Sequence, residues 1–139
     1  MLHRGPNHLP AGTRVFVADD DDDLRALVVE TLRSDGYAVV EARDGVELLA
    51  LIADAIGSPA TRPDIVVADV RMPHLSGLGV LDQLRRAHVS VPFVLMTGFA
   101  PDAVGVVAKR FGALGVLGKP FDVDDLRTAV LNARREPMH

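Results

Sequence analysis

The stretch Val15–Arg25, VFVADDDDDLR, joins two different periodicities without a spacer. Val15–Ala18 is a continuous apolar run of strand length, and Leu24 is followed at helical spacing by Leu27, Val28 and Leu32, an apolar stripe for one face of a helix. A strand that passes through a short polar turn into a helix is half of a β-α-β unit, and the rest of the chain repeats it. Strands are expected at Arg14–Ala18, Tyr37–Glu41, Ile65–Ala68, Pro92–Met96 and Leu114–Leu117. Most are continuously apolar, the pattern of strands buried on both faces. Helical stripes fall between and after them: Leu48, Leu49, Ile52 and Ile56; Leu78, Leu81 and Leu84; Val104, Val107, Ala108 and Phe111; Leu126, Ala129, Val130 and Ala133. Five strands alternating with five helices predict an α/β fold, a parallel sheet with helices on both faces.

The punctuation agrees. Gly36 and Gly112 stand where the first and fourth helices should stop, and Pro63 and Pro92 stand at strand entrances. Asp122 is placed to cap the fifth helix, with Asp125 three residues on. The 139 residues suit one domain with a proper core, and 48% hydrophobic with 24% charged residues is a globular composition. A net charge of -4 offers no basic footprint for nucleic acid or an anionic membrane. With no cysteine there is no disulfide, thiolate metal site or thiol nucleophile. No run is long enough to span a bilayer, and MLHRGPNHLPAG lacks the apolar stretch of a signal peptide. A cytoplasmic protein with a short N-terminal lead is expected.

Five consecutive aspartates, Asp19–Asp23, repel one another, so the run costs stability unless a positive charge sits among them. Alone, such a run reads as a solvated acidic loop. The predicted fold changes that reading, because in a parallel sheet every strand's carboxyl end lies on one edge, where ligands bind. Asp19 and Asp20 end the first strand, Asp69 the third, Thr97 the fourth and Lys119 the fifth. Three carboxylates call for a cation, and an oxygen-rich site open to water suits Mg²⁺. The lysine and the hydroxyl would then hold an anion beside the metal. Metal, anion, carboxylate nucleophile and lysine together suggest phosphoryl transfer to an aspartate.

The segments VADDD (Val17–Asp21), PDIVVADVRMPHLSG (Pro63–Gly77), VLMTG (Val94–Gly98) and GKPF (Gly118–Phe121) resemble, in order and spacing, the receiver domain of two-component response regulators, a CheY-like domain. The resemblance covers roughly Arg14 to Arg134. It implies a (βα)5 flavodoxin-like fold with strand order 2-1-3-4-5, with a lead at residues 1–12, the receiver at 13–136 and no output domain: a stand-alone, single-domain regulator. By the same resemblance Asp69 accepts a phosphoryl group from a phosphohistidine on a sensor histidine kinase or histidine phosphotransfer protein. Asp20, Asp69 and the backbone carbonyl of Arg71 bind Mg²⁺, and Asp19 holds a metal-bound water. Thr97 and Lys119 contact the phosphoryl oxygens, and a cis peptide precedes Pro120. Output is by protein–protein interaction or phosphorelay, without direct contact to nucleic acid or insertion in a membrane, and the domain catalyses at most its own phosphorylation and dephosphorylation.

Asp21–Asp23 are expected in the loop and helix N-terminus rather than as ligands. Met72 and Pro73 read as turn and packing residues, and Gly77 as relief for a tight loop. His3, His8, His74, His88 and His139 show no ligand spacing. One departure from the family pattern is Val116, at a position that is commonly an aromatic switch. Arg71 and Phe99 occupy positions where the family varies the lifetime of its phosphoryl group. Two rival readings remain. A haloacid-dehalogenase-like phosphatase would use Asp19-x-Asp21, although Asp23 stands where that motif needs threonine or valine; a receiver-like binding module would make no use of phosphate.

Overall fold

The computed structural model describes residues 12–135. Ten elements alternate: β1 (Arg14–Ala18), α1 (Asp22–Ser34), β2 (Ala38–Ala42), α2 (Gly45–Ala55), β3 (Ile65–Asp69), α3 (Gly77–Arg86), β4 (Phe93–Thr97), α4 (Pro101–Arg110), β5 (Gly115–Gly118) and α5 (Val123–Arg135). All strand pairs are parallel, in the order β2-β1-β3-β4-β5. The expected lead, apart from Gly12, lies outside the described residues, as do residue 136 of the expected domain and the histidines His3, His8 and His139.

The continuous apolar runs follow from a two-sided sheet, because successive side chains of a strand point to opposite faces. In β1, Val15 and Val17 enter the core under α1 and α5 with Val28, Leu32, Leu126 and Val130, whereas Phe16 and Ala18 enter the core under α2, α3 and α4 with Leu48, Ile52, Val80 and Ala108. β3 and β4 alternate in the same way, so neither has a polar face to spend on solvent. β2 does not follow the pattern, since Ala38–Glu41 are exposed or half-buried. It is a sheet edge, and Arg33 covers part of that edge by donating to the Val39 carbonyl at 3.1 Å.

Four of the five strands end one residue later than the apolar pattern predicts, because ladder bonding carries on into the next residue whatever its side chain. Leu27 and Val107, expected on buried stripes, are 45% and 42% exposed. Gly36 and Gly112 do end their helices with positive φ, 97° and 92°. Asp122 caps α5 by accepting from the Asp125 N–H at 2.9 Å.

Candidate functional site

The acidic loop opens where β1 ends. Asp19 is fully buried, and Asp20, the next residue, is exposed. The three aspartates beyond them serve the helix. Asp21 Oδ1 accepts from the N–H groups of Asp23 (3.0 Å) and Leu24 (3.1 Å), while Asp22 and Asp23 fill the first turn of α1, where the helix dipole favours negative charge. Asp21 is therefore committed to a cap, which takes away the second acid of an Asp19-x-Asp21 phosphatase motif. One positive charge that the run requires is Arg25. Its guanidinium donates to the Asp19 carbonyl (2.8 Å), Asp22 (2.8 Å) and Glu41 (3.1 Å), with its side chain only 12% exposed. Sequence reasoning missed it, since nothing marks one arginine on a helix as turned back under its own N-terminus.

The carboxyl ends of β1, β3 and β5 meet at Asp19, Asp69 and Lys119. The Lys119 ammonium donates to Asp69 Oδ2 at 2.5 Å and to Asp19 Oδ2 at 3.3 Å. Asp69 Oδ1 accepts the Arg71 N–H at 3.0 Å, and Asp19 Oδ1 accepts the Asp21 N–H at 2.9 Å. Lys119 precedes a cis peptide to Pro120, as expected. Burial pushes the Asp19 carboxyl up to about 6; the Asp21 N–H pulls it back, the Asp69 charge raises it further, and Lys119 lowers it. For Lys119, burial disfavours the ammonium, but the hydrogen bond to Asp69 and the two carboxylate charges outweigh it, so its pKa is raised and it stays charged.

Carboxylate oxygens of Asp19, Asp20 and Asp69 lie within 4.8 Å of one another. Hard oxygen donors this close, with Asp20 open to water, fit a magnesium-sized cation that keeps several waters. Thr97 ends β4 at the same edge, with its hydroxyl bonded to the Phe99 backbone. Its hydroxyl donates to the Phe99 carbonyl at 2.9 Å and accepts the Phe99 N–H at 3.1 Å. His74 is exposed, at φ 70°, and reads as a turn residue. Val116 is half-buried against the α2–α4 core.

Gly77 has a different purpose from the loop relief that its position predicts. It is the first residue of α3, its N–H bonds to Val70 at 3.1 Å, and a Cβ on it would lie 2.5 Å from the Asp69 carbonyl oxygen. The missing side chain lets α3 close directly onto the peptide that carries Asp69.

A family model described as the response regulator receiver domain matches residues 15–131. The response regulator MprA of Mycobacterium sp. is 39% identical over 126 residues, 89% of this chain and 52% of that protein. The sensor kinase CckA of Brucella abortus is 36% identical over 122 residues, 88% of this chain and 12% of that protein. The chain thus spans about half or less of these curated relatives. Among solved structures, the Vibrio cholerae chemotaxis protein CheY4 superposes with a TM-score of 0.76 at 30% identity, over 88% of this chain and 99% of that one. With the strand order, the acidic edge and the family match in agreement, the chain belongs to the receiver-domain family of two-component response regulators.

Proposed function

We propose that Asp69 accepts a phosphoryl group from the phosphohistidine of a sensor histidine kinase or histidine phosphotransfer protein. The observation that carries this reading is the single ammonium, Lys119, bonded to both Asp69 and Asp19 beside the exposed Asp20. An oxygen of Asp69 forms the new bond to phosphorus as the phosphorus–nitrogen bond breaks, and the imidazole nitrogen keeps the electron pair. Asp20, Asp69 and the Arg71 carbonyl would hold Mg²⁺, with Asp19 holding it through water. The bound ion supplies positive charge against the phosphoryl oxygens. Lys119 transfers from the carboxylate to a phosphoryl oxygen, and Thr97 turns its hydroxyl from Phe99 to another.

The domain then works as a cytoplasmic switch rather than an enzyme with external turnover, and its output goes to a protein rather than to nucleic acid. Among the described residues no helix is long and apolar enough to cross a membrane. The output surface in this reading is formed by α4, β5 and α5, where Val106, Val107 and Leu114 are 58%, 42% and 38% exposed. Val116 supplies no aromatic lever, so the loop from Thr97 to Asp102 should move more than β5. The test is intact mass after incubation with Mg²⁺ and acetyl phosphate. One added phosphoryl group is expected on wild type and none on Asp69→Asn, whose side chain is isosteric. Equal labelling of the variant would move the acceptor elsewhere, steady turnover of unrelated phosphomonoesters would favour a phosphatase, and no labelling of wild type would favour a phosphate-independent module.

A further inference from the structure

The mouth of the acceptor pocket is bridged from side to side. The Arg71 guanidinium lies over the ring of Phe99, 5.0 Å from its centroid, within the range of a cation–π contact. Arg71 follows β3, and its own N–H holds Asp69 Oδ1 at 3.0 Å. Phe99 follows β4, and its backbone N–H and carbonyl are both taken by the Thr97 hydroxyl. The chain of contacts therefore runs Asp69, Arg71, Phe99, Thr97, and it starts and ends on groups that a phosphoryl oxygen would engage.

Two features set Phe99 and the residue after it apart from the core. The residue is 62% exposed, a high value for a phenylalanine. Ala100, next in the chain, sits at φ 42° in the left-handed region, and as the N-cap of α4 it makes no side-chain capping bond. A non-glycine residue there is strained, and a helix start without a cap leaves its first N–H groups without that partner. The segment that joins Thr97 to α4 thus ends on a strained, uncapped residue, one step after Phe99.

We propose that Arg71 is a positioning residue for the phosphoryl group, parked on Phe99 until Asp69 is modified. Thr97 has one hydroxyl proton, and it is spent on the Phe99 carbonyl. To donate to a phosphoryl oxygen it must release that carbonyl, which breaks one of the two bonds between Thr97 and the Phe99 backbone. At the same moment a dianionic group appears on Asp69, whose carboxylate already accepts the Arg71 N–H. A phosphoryl oxygen binds a guanidinium by charge-assisted hydrogen bonds, more strongly than an exposed aromatic face does. Arg71 leaves the ring for the anion, and Phe99 is released from both sides. The ring takes on, from the β4–α4 loop, the signalling part that Val116 leaves unfilled on β5. This inference rests on Asp69 being the acceptor.

The experiment is titration of beryllofluoride, a phosphoryl mimic, in the presence of Mg²⁺, on wild type, Phe99→Leu and Arg71→Gln. Removing the aromatic face abolishes the parked state and leaves Arg71 free for the anion, so Phe99→Leu should bind about two- to fivefold tighter, the worth of an exposed cation–π contact. Arg71→Gln opens the latch equally but removes the cation that would be transferred, so it should bind several-fold weaker. Opposite signs from the two halves of one contact are the expected result, and a merely structural pair would move both variants the same way. Shifts of the same sign, or no shift in either variant, overturn the proposal while leaving Asp69 as acceptor. Failure of wild type itself to bind overturns the acceptor reading, and the latch with it.

Discussion

Replacing Gly77 by alanine tests whether α3 clamps the strand that carries Asp69. The added Cβ would meet the Asp69 carbonyl oxygen at 2.5 Å, its carbon at 3.1 Å and Leu95 Cδ2 at 2.9 Å. The leucine methyl can turn aside, but the carbonyl belongs to the last peptide of β3 and moves only with the strand end. Restoring ordinary contact opens roughly an ångström between α3 and β3, and overpacking of this kind costs about 1–3 kcal/mol. For a domain of this size that lowers Tm by roughly 4–12 °C. Gly105 is the control, because it lies within α4 and a Cβ there meets nothing within 4 Å. Gly105→Ala should gain about 0.8–1 kcal/mol of helix propensity and raise Tm by roughly 3–4 °C. Thermal unfolding followed by circular dichroism reads both, and acetyl phosphate labelling should slow only in Gly77→Ala. A Gly77→Ala variant as stable and as rapidly labelled as wild type would show that α3 slides away freely and does not position Asp69.

Three further outcomes follow from the electrostatics. Asp19 is raised from 3.8 to about 6, so its contribution to stability is fully present below the lower value and lost as pH rises through the upper. The loss is at most about 3 kcal/mol; urea unfolding in EDTA should show it across that window, and an undiminished loss in Asp19→Asn would assign it to other groups. Lys119→Met leaves Asp19 and Asp69 without their shared ammonium, whose side chain is 22% exposed. The partial screening limits the metal-free cost to about 1–3 kcal/mol, and Mg²⁺ should recover part of it; a cost unaffected by Mg²⁺ would separate the lysine from the cation site. Asp20 is exposed, so Asp20→Ala should shift metal-free stability by no more than about 0.5 kcal/mol while weakening Mg²⁺ binding. An unchanged Mg²⁺-induced rise in Tm would remove Asp20 from the ligand set.

The strand and helix count and the residues of the acidic edge were legible because they depend on periodicity and on where apolar runs stop, whereas the strand order was implied by the family resemblance. A strand buried on both faces announces itself by composition, and the polar residue that ends it must lie at the sheet's carboxyl edge. The edge strand β2 was less legible, since its exposure depends on having one neighbour instead of two. Leu27 and Val107 show the limit of helical stripes: spacing gives a face, but packing against the sheet decides how much of that face is covered. The Thr97 hydroxyl, the Arg25 clamp and the Arg71–Phe99 contact depend on side-chain rotamers, which no spacing encodes. Gly77 was visible as a glycine, but its reason was not, because the carbonyl it accommodates comes from another element.

The bond from Lys119 to Asp19 joins residues 100 positions apart, and the one to Asp69 joins residues 50 apart. Such contacts form only after the intervening strands have paired, since long loops must close before distant groups can meet. No fragment of the sheet can assemble the pocket early. A chain that has collapsed but not yet docked β5 presents aspartates to solvent without the ammonium that bonds to Asp19 and Asp69. Under the proposed function, competence to receive a phosphoryl group would itself report that folding is finished, and a donor that recognises the completed pocket would pass over misfolded copies.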